Sequence, residues 1–472
     1  MPGFDHFDDD DPRPRPHRQS EEDFRRFREQ VRNGERDINN TEALEEIIQF
    51  YFENEHFEEA LPFAERLLTF EPYNADAWQR KGMILNNLFR YDDALECYDH
   101  ALSLNPTDPE ILVNKGITLD NQNKVPEALE CFEAALAADP THEDALFHKG
   151  VTLEKQDRFT EALQAFSQIL DANPQHVDAW YELGYCNDFL DKLEESVRCY
   201  DEHLRRDPYN YNAWYNRGIV LNRMGHYSKA VSSYEFALAI KEDFGAAWYN
   251  LGNAFANLER LHDAIDAYKR CLHYDSTDVP AWHNLGNAYE ELGMLKEAVS
   301  SFTSAIKLDG KHYESHFARG SCYEALEQPK KALADYKKGL TINSEYPQLW
   351  YARADVEYNL GLYEECLASY RMLLKLEPDS FEGWYDYGDT LQELGRTQES
   401  LEALDRCLSI APTFGAAYYS KGKALLLGKD HARALQAFRK AFEIDPALRT
   451  IFKTEFPTLV ALREFAPLLK KK

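Results

Sequence analysis

The sequence predicts an all-α protein built from tandem pairs of antiparallel helices, and three observations carry that prediction. A 34-residue ruler laid from Thr41 runs to Leu448 without insertion or deletion, marking twelve units that begin at 41, 75, 109, 143, 177, 211, 245, 279, 313, 347, 381 and 415. All seven tryptophans (Trp78, Trp180, Trp214, Trp248, Trp282, Trp350 and Trp384) fall on position 4 of a unit. Apolar residues recur at positions 4, 7 and 11 and again at 17, 20, 24 and 27, the spacing of one helical face in each half of the unit.

Within a unit, the first helix is expected to end at a short turn near positions 15 to 17, where the apolar spacing restarts. Position 8 is glycine in ten of twelve units, including Gly82, Gly252 and Gly422. Glycine inside a helix costs roughly 1 kcal/mol relative to alanine, so its recurrence needs a compensating contact. Position 20 is always small (Ala60, Ser196, Ala264, Cys366), which points to a close helix crossing between positions 8 and 20. Proline at position 32 in eight units stops the second helix. Each tryptophan is expected to lie buried between paired helices. Pro62 falls inside the second helix of the first unit and is expected to deform it.

The flanks read differently. Residues 1–19, with Asp8 to Asp11 and a Pro-Arg alternation, have nothing to bury and are expected to be disordered. Residues 20–40 are expected to form an N-terminal capping helix: Ser20-Glu21-Glu22-Asp23 resembles a capping box, and Phe24, Phe27 and Val31 form one stripe before Asn33-Gly34. Residues 449–472 are expected to supply a final helix over the last pair, followed by a lysine tail.

In the unit at 245, Trp248, Leu251, Gly252, Phe255, Ala264 and Tyr268 spell out a pattern that resembles the tetratricopeptide repeat family, and the likeness covers 408 of 472 residues. The resemblance implies an α-solenoid: a right-handed superhelix of helix pairs whose first helices line a concave groove. Departures are local. Units from 211 to 313 lack the proline, and Ile48 and Ala354 stand at position 8 of their units.

Composition narrows the function. Lys plus Arg total 53 against 82 Asp plus Glu, a formal net charge of −29, which repels phosphate backbones and argues against a nucleic-acid partner. Hydrophobic content of 44% is too high for a disordered chain. No leader peptide and no apolar run of spanning length is readable, and the eight cysteines include no CxxC pair, so a cytoplasmic protein with reduced thiols and no membrane partner is expected.

Positions 2, 5, 6, 9, 12 and 13 of the first helices form the stripe opposite the packing face, and successive units set these stripes side by side. Asn114, Asn216, Asn250 and Asn284 stand at position 6, and Asn253 and Asn287 at position 9. Tyr181, Tyr215, Tyr249, Tyr351 and Tyr385 stand at position 5. An amide offers a donor and an acceptor to an extended peptide main chain, and tyrosine adds apolar area with a polar tip. The stripe resembles the asparagine ladder of O-linked N-acetylglucosamine transferases, which implies a hold on peptide backbone; the alternative is that these side chains support neighbouring first helices. It lacks the basic residues of the carboxylate clamp that captures acidic chaperone tails. Instead Asp120, Glu154, Glu182, Asp188, Glu290, Glu324, Asp355, Asp386 and Asp389 outnumber Arg80, Lys155, Arg223 and Lys423, which favours a basic peptide or protein.

No catalytic set can be placed. Gly422 to Asp430 has the wrong glycine spacing for a phosphate loop, and His312 and His316 fit packing better than metal because His316 takes the tryptophan position. Cys97, Cys131 and Cys199 share position 23 and read as small packing residues. The expectation is a non-enzymatic scaffold without cofactor or metal that binds a protein or extended peptide. A chaperone or assembly factor holding a client, and a regulatory partner of an enzyme in trans, are the alternatives.

Overall fold

The computed structural model describes residues 21–33, 38–460 and 464–465. The chain divides into two compact units, Met1–Glu242 and Asp243–Lys472. In the first, α1 (Glu21–Arg32) precedes six helix pairs: α2 (Thr41–Glu53) and α3 (Phe57–Phe70), α4 (Ala75–Asn87) and α5 (Tyr91–Leu104), α6 (Pro109–Asn121) and α7 (Val125–Ala138), α8 (Glu143–Glu154) and α9 (Phe159–Ala172), α10 (Val177–Phe189) and α11 (Leu193–Arg206), α12 (Tyr211–Arg223) and α13 (Tyr227–Ile240).

The second unit holds six more: α14 (Gly245–Asn257) and α15 (Leu261–Tyr274), α16 (Val279–Glu291) and α17 (Leu295–Leu308), α18 (Tyr313–Ala325) and α19 (Pro329–Ile342), α20 (Pro347–Asn359) and α21 (Tyr363–Leu376), α22 (Phe381–Glu393) and α23 (Thr397–Ile410), α24 (Gly415–Leu427) and α25 (His431–Ile444). Two short helices follow, α26 (Leu448–Glu455) and α27 (Pro457–Val460). The described residues are therefore all-α, and the 34-residue period is one helix-turn-helix pair.

Local chemistry sets the helix ends. Most first helices are capped by the last residue of the preceding unit: Asn74 accepts from the Ala77 N–H, Asn210 from Ala213 and Asp278 from Ala281. In all twelve turns position 15 is left-handed. Glycine fills it at Gly225, Gly293, Gly361 and Gly395, and eight other residues, among them Phe89, Asp157 and Glu259, hold φ of 57–62° there.

The glycines of position 8 do lie at a crossing with position 20, where Ser196 Oγ donates to the Gly184 carbonyl at 2.7 Å, but the tightest contact is with position 24. Nine of the ten lie beneath a ring at position 24: a Cβ added to Gly252 would stand 2.6 Å from Tyr268 Cε1, and one at Gly116 2.5 Å from Phe132 Cε1, while Gly388 meets Leu404 there instead. Tyr98, Phe132, Phe166, Tyr200, Tyr234, Tyr268, Phe302, Tyr336 and Phe438 are correspondingly the largest fully buried side chains of their pairs. The first pair exchanges the volumes, with Ile48 at position 8 over Ala64, both buried.

The tryptophans differ from expectation. All seven are half-buried, and in six of them the indole Nε1 donates to a carbonyl six residues earlier in the preceding turn, as in Trp78 to Pro72, Trp214 to Pro208, Trp282 to Ser276 and Trp384 to Pro378, at 2.9–3.0 Å. Pro62 does not interrupt α3, which runs unbroken from Phe57 to Phe70.

At the ends, Ser20 and the side chains of residues 21–24 lie outside the described residues, as do residues 1–19 and the lysine tail. Phe27 of α1 stacks on Phe50, and Val31 joins the same core. After the last pair, two helices stand where one was expected. Pro457 has no N–H to donate and disfavours helix at Phe456, which separates α26 from α27. Phe452 and Phe465 are fully buried against Phe438 and Phe442, covering the face that the last pair would otherwise expose.

Candidate peptide-binding site

The stripe residues of the first helices form rungs between consecutive pairs. In the first unit, Asn216 Nδ2 of α12 donates to the Tyr181 hydroxyl of α10 at 2.8 Å. In the second, Asn284 Nδ2 of α16 donates to the Tyr249 hydroxyl (3.2 Å) and to Asn253 Oδ1 (2.9 Å), both on α14. Asn253 Oδ1 also accepts from the Tyr268 hydroxyl at 2.8 Å, which ties the stripe to the ring packed on Gly252. The same step recurs with a carboxylate in place of the amide: the Tyr351 hydroxyl donates to Asp386 Oδ2 at 2.5 Å. The period explains the rung: tyrosine at position 5 of one pair meets position 6 of the next.

The other expected residues are placed as follows. Asn114 Nδ2 donates to the Glu110 carbonyl of its own helix (3.0 Å) and joins no rung. Asn250 and Tyr215 are half-buried, and Asn287 is exposed. Asp389 accepts from the Ser420 hydroxyl and from Gln392 Nε2 (3.2 Å), and Tyr385 hydrogen-bonds to it. Thus Tyr181 and Asn216 come together in the first unit. In the second, Tyr249, Asn253 and Asn284 form one network, while Tyr351 with Asp386 and Tyr385 with Asp389 form two adjoining sets.

Charge on the stripe is unevenly compensated. Lys155 Nζ lies 2.7 Å from Asp120 Oδ2, and Arg223 pairs with Asp188 and, at 2.9 Å, with Asp191. Arg80 donates to Gln49 Oε1 at 3.2 Å. Glu154 and Glu182 instead hydrogen-bond to each other, and Glu154 Oε1 accepts from the Cys186 thiol at 2.9 Å. Burial pushes both carboxyls up, Glu154 to about 7, so the pair keeps a proton near neutral pH. Burial, and then Asp389 and Asp355, likewise push Asp386 up to about 6 against the opposing hydrogen bond from Tyr351.

Where the pair at 313 has lost its tryptophan, a polar cluster replaces it. His316 Nδ1 lies 3.2 Å from Asp335 Oδ1, and Arg319 donates to both Asp335 oxygens at 2.8 and 2.6 Å. Burial alone would raise the Asp335 carboxyl; the His316 and Arg319 contacts outweigh it and hold it below the usual range. Among the described residues no group of three His, Cys, Asp or Glu is placed to hold a metal ion, no cysteine is paired, and no helix is long and apolar enough to cross a membrane.

Tandem helix pairs joined by side-chain rungs define a repeat protein whose first helices offer a continuous polar stripe in each unit. Models of the Tetratricopeptide repeat match residues 75–108 and, without a break, 113–448, and the chain belongs to that family. No curated protein matches the sequence. Similar solved structures include YrrB, described as a TPR protein with an unusual peptide-binding site, at 25% identity over 40% of this chain and 98% of that one (TM-score 0.37). A tetratricopeptide repeat protein from Parabacteroides merdae ATCC 43184 is 16% identical over 52% and 98% of the two chains (TM-score 0.39). The APC/C hetero-tetramer Cut9-Hcn1 gives 14% identity over 91% and 96% (TM-score 0.38). At scores this low none of the three carries an argument about what this chain binds.

Proposed function

We propose that the protein is a non-catalytic scaffold that binds a basic protein or extended peptide on the stripe of its first helices. Proteins of the tetratricopeptide repeat family act as protein-binding scaffolds, which sets the class. The observation that favours a basic partner is the fate of the cations: Lys155 and Arg223 are already spent on Asp120, Asp188 and Asp191, whereas the Glu154–Glu182 pair, which shares one proton, and Asp386 have no cation within salt-bridge reach among the described residues. A stripe left negative steers basic partners and rejects acidic ones. The rungs qualify how the amides act. Asn216 and Asn284 each commit N–H to a tyrosine, so a bound main chain would meet the remaining amide oxygens and Asn287.

The test is affinity capture from the native host, followed by titration of the recovered partner against the parent and an Asp386→Lys/Asp389→Lys variant. A basic partner whose association slows in the variant, most at low salt, is the expected result. An acidic partner, or one indifferent to the reversal, overturns the reading. Weak binding of many unfolded chains instead of one stoichiometric partner would identify a client-holding chaperone.

A further inference from the structure

Three successive junctions on the stripe of the first unit align position 12 of one pair with position 13 of the next in the repeat register. Two hold salt bridges: Asp120 with Lys155, and Asp188 with Arg223. The junction between them has an acid but no cation in that register. Glu154 stands at its acidic end, and the register places Phe189 where lysine and arginine stand in the flanking rungs. Glu154 and its neighbour Glu182 turn to each other and to the Cys186 thiol instead.

Phe189 is not packed away as a core ring would be. It remains 54% exposed. One face stacks on Phe159 of α9 (centroids 4.5 Å apart, planes at 17°), and Tyr185 lies 4.8 Å from it on α10. The Tyr185 phenol lies within electrostatic reach of Glu154, Glu182 and Asp188. A stacked aromatic surface whose outer ring is half exposed, within electrostatic reach of the Glu154–Glu182 pair, is chemically complementary to one group: a cation that is planar or weakly hydrated. The chain uses the same contact internally, where the Arg206 guanidinium lies 5.5 Å over the Trp180 ring.

We propose that the Phe159–Tyr185–Phe189 surface seats an arginine side chain of the basic partner, whose guanidinium supplies the cation missing from the rung at Glu154. The proposal rests on the basic-partner reading and locates part of its specificity. Glu154 is 4% exposed, so it acts on the guest through protein rather than water, where a unit charge is screened less. Arginine is preferred to lysine because its planar, weakly hydrated head stacks on rings, whereas an ammonium keeps its water.

The experiment is fluorescence anisotropy with the full chain and two labelled probes, hexa-arginine and hexa-lysine, at low and moderate salt. Phe189→Lys restores the flanking pattern and fills the seat with the protein's own cation. Asn121→Lys adds the same charge at position 13 of another first helix, where the native residue is exposed, and controls for non-specific attraction. The expected result is hexa-arginine binding that falls at least about fivefold further in Phe189→Lys than in Asn121→Lys, with a smaller loss for hexa-lysine. Phe189→Ala should weaken hexa-arginine as well, and it decides the matter if the lysine variant does not fold. Equal losses in the Phe189→Lys and Asn121→Lys variants, or no binding by the parent, overturn the arginine seat. The basic-partner reading fails separately, if the captured partner is acidic or indifferent to the Asp386/Asp389 reversal.

Discussion

Gly252→Ala tests whether the ring-on-glycine contact is what specifies the repeat. Helix propensity alone favours the change by about 1 kcal/mol, since alanine is the better helix former. Against it, the new Cβ would stand 2.6, 2.7 and 3.0 Å from Tyr268 Cε1, Cδ1 and Cζ, where ordinary carbon contacts begin near ~3.5 Å. The ring must retreat by about 1 Å. It is 2% exposed, and its hydroxyl is held by Asn253 Oδ1, which also anchors Asn284. Overpacking costs about 1–3 kcal/mol, and a ring displaced this far in a buried, hydrogen-bonded site falls at the upper end, about 2–3 kcal/mol, so packing wins and the net loss is roughly 1–2 kcal/mol.

The pair at 347 provides the reverse case, because Ala354 sits in the same register over Tyr370 and both are buried. There the helices are built around the methyl, and Ala354→Gly should also cost about 1–2 kcal/mol, from lost propensity and a small void. Hydrogen exchange resolved by helix is the suitable measurement, because a repeat array need not unfold as one cooperative unit. Protection should fall in α14–α16 for Gly252→Ala and around α20 and α21 for Ala354→Gly. An alanine variant equally or better protected than the parent would refute the reasoning, as would a loss spread evenly over the second unit.

Three further outcomes follow from the site and the turns. Asn216→Ala and Asn284→Ala should each lose roughly 0.5–1.5 kcal/mol of local stability for each hydrogen bond removed, and should weaken partner binding too; lost protection with unchanged affinity would make the amides purely structural. Glu154→Gln should flatten the pH dependence of the first unit. The folded carboxyl titrates above its unfolded value of 4.5, so its protonated form contributes stability that is lost as pH rises through about 7, on the order of 1–3 kcal/mol, and a parent whose stability does not fall over that window contradicts the assignment. Glu259→Gly, at φ 58° in an exposed turn, should stabilise by roughly 0.5–1 kcal/mol in a melting or exchange measurement, whereas Gly293→Ala at φ 72° should destabilise.

How much of this was legible in the sequence depends on whether a feature repeats. The period, the helix pairs and the glycine register were readable because each is written up to twelve times, so one substitution such as Ala354 cannot hide it. The crossing of positions 8 and 20 is readable from their small residues, whereas the tighter contact with the ring at position 24 needs the ring geometry, which residue type alone does not give. The left-handed turn at position 15 stayed hidden, since glycine marks it in just four of twelve units and the remaining residues there are mostly the polar and acidic types found at any exposed turn.

The stripe is harder to read for a different reason. Side chains that hold one repeat to the next and side chains that hold a partner occupy the same positions, so residue type alone does not separate Asn216, which bonds Tyr181, from Asn287, which faces solvent. Departures from the register are more informative than the register itself. Asn284 repeats what Asn216 does and is explained by the rung. Phe189 departs from the acid–base pairs on either side of it, and Glu154 answers by sharing a proton with Glu182 and accepting from the Cys186 thiol. In a chain whose repeats copy one another this closely, a position that departs from both neighbours is where a test of partner binding is best aimed, because a change there leaves the shared packing of the repeats untouched.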